Sequence, residues 1–297
     1  MADSFSDYLK ARGKLIDQAL SRYLPTARTR PQTIHEAMRY SLFAGGKRLR
    51  PVLCLAAAEA CGGDPEEALR PACAVECIHT YSLIHDDLPC MDDDDLRRGM
   101  PTSHVKYGEG IAVLAGDALL TIAFEITADT PPTKRYSVGD YVRTLATASG
   151  SKHLIGGQVL DLEGEGSEVT LKPAQLRYIH ESKTAALLTA SIELGAMTAN
   201  ATPAKREALV AYGYNLGLAF QVIDDILDVT QSSEKLGKSA GKDEATGKST
   251  YPALFGLEKS RKEAARLTSR AHAALKPLGK KGERLREIAN YLLDRDY

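Results

Sequence analysis

The chain has 297 residues, 43% of them hydrophobic and 26% charged, the balance of a globular protein with a sizeable core rather than a disordered one. Lys and Arg number 38 against 39 Asp and Glu, a formal net charge of -1. No global field therefore favours nucleic acid or an anionic membrane, and electrostatic work must be local.

The amino-terminal MADSFSDYLK has no basic segment followed by an apolar core, and no run reaches about 18 uninterrupted apolar residues. The expectation is a cytoplasmic protein without stable membrane insertion. Helical spacing of apolar residues predicts helices over roughly 4–23, 33–43 and 51–60. Asp64 reads as an N-cap, followed by Pro65 and the acidic Glu66 and Glu67, so a helix begins there. It runs through Ala74, Val75, Ile78, Leu83 and Ile84 until Pro89, whose ring and missing N–H stop it. Asp86 and Asp87 then lie at its carboxyl end. Along the same helix, Cys73 and Cys77 share a face; with Cys54, Cys61 and Cys90 they read as reduced thiols, because no C-x-x-C pair exists.

Further helices are expected over roughly 116–127, 136–149 and 173–197, and a long one from about Pro203 to Val229. In the long helix Leu209, Leu216, Phe220, Ile223 and Ile226 are core positions, and Asp224 and Asp228 share a face. Two more follow over roughly 259–275 and 282–294. Breaks at Gly45-Gly46, Gly62-Gly63, Pro131-Pro132 and Gly164–Gly166 are too short for domain linkers. Strand patterns are scarce. The expected architecture is an all-α, single-domain helical bundle over residues 1–297, with the polar stretch from Gln231 to Thr250 a mobile loop beside the second acidic cluster.

Chemistry concentrates in two local patterns, H-D-D-L-P-C-M-D and I-D-D-I-L-D. On largely apolar helices, unpaired carboxylates suffer desolvation and mutual repulsion, which a metal relieves. Hard oxygen donors in this number suit magnesium with phosphate oxygens. An EF-hand starting at Asp92 would place Arg97 where the sharp turn requires glycine. The metal candidates are Asp86, Asp87 and Asp92 with Asp224, Asp225 and Asp228. Gly45-Gly46-Lys47-Arg48-Leu49-Arg50 sets flexible backbone beside three cations, suited to a diphosphate, and Arg97 and Arg98 follow the first cluster directly.

The runs FAGGKRLRP, ECIHTYSLIHDDLPCMDDDDLRRGMPTSH, GGQVLDLEGE, Lys183-Thr184, GLAFQVIDDILD and GKDEATGKSTYPALFG, in this order, give the chain a strong resemblance to the short-chain trans-isoprenyl diphosphate synthases, and most closely to the bacterial-type farnesyl diphosphate synthases. The resemblance implies a helical bundle around a deep central pocket, usually a homodimer, binding isopentenyl diphosphate and allylic diphosphates with three magnesium ions. It implies head-to-tail condensation of dimethylallyl and then geranyl diphosphate to the C15 product, with the C20 product or a non-catalytic regulatory subunit as alternatives. Intact aspartates in both clusters argue against the regulatory subunit, and GGKRLR and DDILD argue against a class I terpene cyclase.

By the same resemblance Arg97, Lys183 and Lys238 contact the allylic diphosphate, with Lys248 in GKSTYP a weaker candidate. Lys47, Arg50, His79 and Arg98 match the isopentenyl diphosphate site. Thr184 and Gln221 present oxygen dipoles to the allylic cation. Released diphosphate, rather than a side chain, takes the final proton. Tyr81 lies five residues before Asp86, more than one turn deeper, and its ring is the expected floor that favours C15. The terminal YLLDRDY lacks the basic ending that some relatives use to close the site.

Overall fold

Helices account for nearly all the regular structure in the computed structural model, which describes residues 4–164, 172–230 and 250–293. Helix α1 (Phe5–Tyr23) starts where the Ser4 hydroxyl accepts the Asp7 N–H. It is followed by α2 (Gln32–Leu42) and α3 (Leu49–Cys61). Helix α3 opens after Arg48, whose φ of 49° is left-handed, and closes at Gly62 with φ of 89°. Asp64 caps a 3-10 turn over Pro65–Ala68 through Glu66 N at 2.9 Å, and α4 (Leu69–Asp86) continues from it.

Two short strands, β1 (Leu96–Arg97) and β2 (Met100–Pro101), pair antiparallel with Leu96 opposite Pro101. Positive φ at both Arg98 (55°) and Gly99 (75°) supplies the tight turn between them. Next come α5 (Ser103–Tyr107), α6 (Glu109–Ala128), α7 (Val138–Ser149) and α8 (Leu154–Gly164). Helix α9 (Pro173–Ile179) runs into a π-helical turn (His180–Ala185) and then α10 (Ala186–Thr198). Helix α11 (Pro203–Thr230) is the longest described, and α12 (Tyr251–Phe255), α13 (Leu257–Ala274), a 3-10 stretch (Lys276–Gly282) and α14 (Glu283–Leu293) complete the order.

The core explains the placement of the site. Helix α4 is buried on nearly every side, from Leu69 to Ile84, as an all-round apolar helix must be. Helix α3 presents Ala56, Ala57 and Ala58 to the interior, and small residues let α10 approach closely. A Cβ at Gly195 would overlap the Cys54 carbonyl, coming within 2.8 Å of its carbon. Helix α11 packs on α10, α13 and the π-helical turn. The carboxyl ends of α4 and α11 each deliver an acidic cluster.

The expected long helices are present, with ends shifted by a few residues, and the all-α class holds. Leu209, Leu216, Ile223 and Ile226 are buried, whereas Phe220 is only partly so. All five cysteines are free thiols, with Cys73 and Cys77 buried together. Helix α6 begins at Glu109 rather than near 116, because Gly116 does not break it. That glycine lies against His85, where a Cβ would come within 2.9 Å of Cε1, so it serves helix–helix contact. Helix α6 is also long and apolar enough to cross a membrane by length and composition, which a criterion of uninterrupted apolar runs misses. Its buried side packs on α2, α4, α5 and α7.

Candidate active site

After α4 the chain curls back on itself, with Asp92 N donating to Asp86 O at 2.8 Å and Asp94 N to Asp87 O at 3.3 Å. The later aspartates are thereby brought beside the first two. Burial raises the Asp86 carboxyl to about 6; Lys183 and Arg97 oppose this shift, and the neighbouring Asp92 and Asp87 add to it. Asp87 is buried and gripped by Arg97, whose Nε lies 2.7 and 2.9 Å from the two carboxylate oxygens. Burial raises its pKa as well, against the pull of Arg97.

A second group of cations gathers around Glu76, 2% exposed in the middle of α4. Arg48 Nη1 donates to Glu76 Oε1 at 2.9 Å, while its Nε reaches Asp17 and its Nη2 the Leu42 carbonyl, both at 2.8 Å. Burial lowers the Arg50 pKa and nearby Arg98 lowers it further, with Glu76 and Asp224 opposing. Arg50 therefore stands between α4 and the α11 cluster, and its Nε finds no partner among the described residues. Arg98 donates to the Gly45 carbonyl and lies over Gly46, where a Cβ would approach its Nη1 at 2.5 Å. His79 is held neutral, well below its ordinary pKa, by burial and then by Arg50, Arg98, Arg97 and Arg48.

On the other wall the π-helical turn presents consecutive polar side chains. Lys183 Nζ donates to Asp161 Oδ2 of α8 at 2.7 Å. Thr184 Oγ1 donates to Gln221 Oε1 at 2.8 Å, and Gln221 Nε2 donates to Asp225 Oδ1 at 3.2 Å. Asp225 Oδ2 also accepts the Tyr251 N–H at 2.9 Å. Buried Asp228 leaves Oδ2 with no hydrogen-bond partner among the described residues.

The structure brings together Asp86 with Asp92, Arg97 and Lys183; Arg50 with His79 and Arg98; and Thr184 with Gln221, while Arg50 also feels the charge of Asp224, a proximity the sequence did not suggest. Lys47 departs from this grouping. Its Nζ lies 5.5 Å from the Tyr291 ring, in a groove of about 710 Å³ between α1 and α14. The left-handed Arg48 turns the chain between Lys47 and Arg50. Tyr81 is buried, edge-on to His85 at 5.7 Å, and its hydroxyl has no partner among the described residues; burial and then Asp86 raise its pKa to about 12. Lys238, Lys248, Arg295 and all of the expected Gln231–Thr250 loop except Thr250 lie outside the described residues.

Of the six expected metal carboxylates, Asp92 and Asp224 interact within the protein. Asp87 and Asp225 are engaged by protein donors, and no group of three His, Cys, Asp or Glu side chains is gathered as a metal site among the described residues. The remaining chemistry fits a divalent cation nonetheless. Asp86 is a half-buried carboxylate whose proton affinity is raised first by desolvation and then by adjacent aspartates, and Asp228 keeps an oxygen without a hydrogen-bond partner among the described residues. Sequence reading missed Glu76, Asp161 and His180. Glu76 and Asp161 lie inside the recognised runs, and His180 stands three residues before Lys183, which marked the segment without marking their roles.

Known proteins resemble this chain in both sequence and fold. The Polyprenyl synthetase family profile matches residues 31–291. A heterodimeric geranylgeranyl pyrophosphate synthase large subunit from Arabidopsis thaliana is 50% identical over 295 residues, covering 97% of this chain and 78% of its own. A crystal structure of an FPP/GFPP synthase from Zymomonas mobilis superposes with a TM-score of 0.86 at 38% identity, covering 99% of this chain and 100% of that one. A geranyltransferase from Helicobacter pylori, complexed with magnesium and isoprenyl diphosphate, superposes at 0.82 with 34% identity, covering 99% and 98%. The expected cytoplasmic location is overturned by the Arabidopsis relative, whose name assigns it to the chloroplast. With a family match over most of its length and relatives of this identity and coverage, the chain belongs to the polyprenyl synthetase family and is a prenyltransferase.

Proposed function

We propose that this prenyltransferase condenses isopentenyl diphosphate head-to-tail with allylic diphosphates, releasing inorganic diphosphate, and extends the chain to the C20 product. The observation that carries the two-substrate reading is the presence of two adjoining cation groups. Arg50, Arg98 and neutral His79 form one around Glu76, and Arg97 and Lys183 form the other beside Asp86 and Asp87. The first group suits isopentenyl diphosphate and the second the allylic diphosphate, with Lys47, Lys238 and Lys248 as additional cations. C20 follows the name of the Arabidopsis relative, a geranylgeranyl pyrophosphate synthase. Two observations favour the C15 reading: Tyr81 is buried more than one turn below Asp86, and the Zymomonas mobilis neighbour is named an FPP/GFPP synthase.

Asp86, Asp92, Asp224 and Asp228 are the residues that would hold magnesium, three ions being expected, while Asp87 and Asp225 orient Arg97 and Gln221. The Helicobacter pylori geranyltransferase, solved with magnesium and an isoprenyl diphosphate, supports magnesium as the ion. Bound magnesium supplies Lewis-acid neutralisation of the departing diphosphate. The protein's cations hold the allylic diphosphate while its carbon–oxygen bond breaks and the electron pair leaves with the diphosphate. The Thr184–Gln221 pair turns oxygen dipoles, rather than a charged carboxylate, toward the nascent cation. Arg50 and Arg98 hold the isopentenyl diphosphate so that its double bond lies beside the cation; the π electron pair forms the carbon–carbon bond by proximity, and the proton lost from the resulting cation goes to the released diphosphate. The work is done by one domain, in a homodimer; the Arabidopsis relative is named a heterodimer subunit, so assembly needs its own mass measurement.

Product analysis tests the proposal. Purified chain with magnesium, dimethylallyl diphosphate and labelled isopentenyl diphosphate is expected to give mainly C20 product. No elongation refutes the enzyme assignment, and mainly C15 product refutes only the length.

A further inference from the structure

The π-helical turn is rare geometry, found frequently at functional sites. Here it is wedged between two glycines. A Cβ at Gly157 of α8 would come within 2.8 Å of Lys183 Cα, and one at Gly217 of α11 within 2.6 Å of Ala185 Cα. The first residue of the turn, His180, is 4% exposed and carries no role in the sequence motifs. Its Nε2 lies 3.4 Å from Asp225 Oδ2, at the outer edge of hydrogen-bond reach, and its ring stacks on Tyr251 at 5.7 Å and 26°. Its Nδ1 finds no partner among the described residues. Asp225 is the carboxylate that also receives Gln221 Nε2 and Tyr251 N. His180 therefore closes a ring of contacts through Asp225, Gln221 and Thr184 back to its own turn.

We propose that His180 is a positioning residue for the allylic half of the site: its Nε2–H holds Asp225, and the pair fixes where Lys183, Thr184 and Gln221 stand relative to α11. This rests on the reading of Lys183 and Thr184 as allylic-diphosphate residues. Four elements meet at the pair. The π-helical turn supplies His180, α11 supplies Asp225 and Gln221, α12 supplies Tyr251, and α8 supplies Asp161, whose charge His180 also feels. Without the Nε2 donor, Asp225 keeps Gln221 Nε2 and Tyr251 N, loses its direct contact with His180, and is joined to the turn through Gln221 and Thr184. Lys183, three residues along the same turn, is then held by Asp161 with less support from α11.

The test uses the two amides that imitate the two ring nitrogens. His180→Gln places an amide near the Nε2 position, and His180→Asn places one near Nδ1 and none near Nε2. The Asn variant is expected to lose about tenfold or more in kcat/KM for dimethylallyl diphosphate, the worth of a hydrogen bond to a charged group, with KM for isopentenyl diphosphate within about twofold of wild type. The Gln variant is expected within about threefold of wild type for both substrates. Calorimetric titration of each purified variant with inorganic diphosphate in magnesium should show the same order, weaker binding for Asn and near-native binding for Gln. Equal behaviour of the two variants, whether native or impaired, overturns the proposal, as does a loss shared equally by both substrates. If the Asn variant does not fold, His180→Phe replaces it, since it keeps the ring against Tyr251 and lacks the donor. If the wild-type chain elongates nothing, the functional reading fails by itself, and the calorimetric comparison still decides the role of His180.

Discussion

Replacing Glu76 with Leu should be among the most damaging single changes in the fold, and the structure gives its size. Arg48 and Glu76 are 5% and 2% exposed and meet at 2.9 Å, so neither charge has water to fall back on. Removing one partner of a buried pair costs about 3–5 kcal/mol, because the other charge is left unpaired. Arg48 would keep the Leu42 carbonyl and the half-exposed Asp17, each at 2.8 Å, which puts the loss near the lower end, about 3 kcal/mol. That is roughly a hundredfold in the folding equilibrium. The double variant Glu76→Leu with Arg48→Met removes both charges and should lie within about 1 kcal/mol of wild type. The remainder falls on Arg50 and Arg98, which also feel Glu76. Urea unfolding followed by circular dichroism, compared at equal m-value, measures both. A single variant costing under about 1 kcal/mol, or a double variant no better than the single, refutes the reasoning.

Asp86 offers a pH test. Its folded-state pKa is raised to about 6, so its stabilising contribution is full below the ordinary carboxylate value near 4 and is lost as pH rises through 6. In the absence of magnesium, Asp86→Asn should therefore melt higher than wild type at pH 8 and about equally at pH 4, and a lower Tm at pH 8 counts against the burial argument. Tyr81→Ala should shift products to longer chains by chromatography; an unchanged distribution places the limit elsewhere. Gly195→Ala should lower the urea midpoint by an amount equivalent to about 1–3 kcal/mol, since its methyl meets the Cys54 carbonyl, and a loss below about 0.5 kcal/mol would mean α3 and α10 can separate freely.

The acidic clusters and most of the helices were legible because residue type and spacing encode them directly. What each aspartate touches was not. Asp87 is taken by Arg97 only because the Arg98-Gly99 turn folds the strand pair back on α4, a tertiary event ten residues downstream. Lys47 and Arg50 looked like one basic patch, but a left-handed Arg48 separates them, and an arginine gives little warning of positive φ. The segment over 173–197 read as one continuous helix. Its π-helical turn comes from close packing against Gly157 and Gly217, residues far away in the chain. Helix α8 carries most of the GGQVLDLEGE run, and its paired glycines, poor helix formers by themselves, hid it.

The π-helical turn also changes the rotational phase of the helix that contains it. One residue beyond an α-turn rotates everything upstream by about 100° relative to everything downstream. Helix α10 is thereby free to aim Leu187, Leu188 and Ile192 at the core, while α9 points Arg177 at Glu181 and Tyr214 on the outside. Deleting a single residue between His180 and Ala185 would therefore leave a perfectly regular helix with two halves that no longer fit the same protein. Length changes in this stretch should be tolerated only as whole turns.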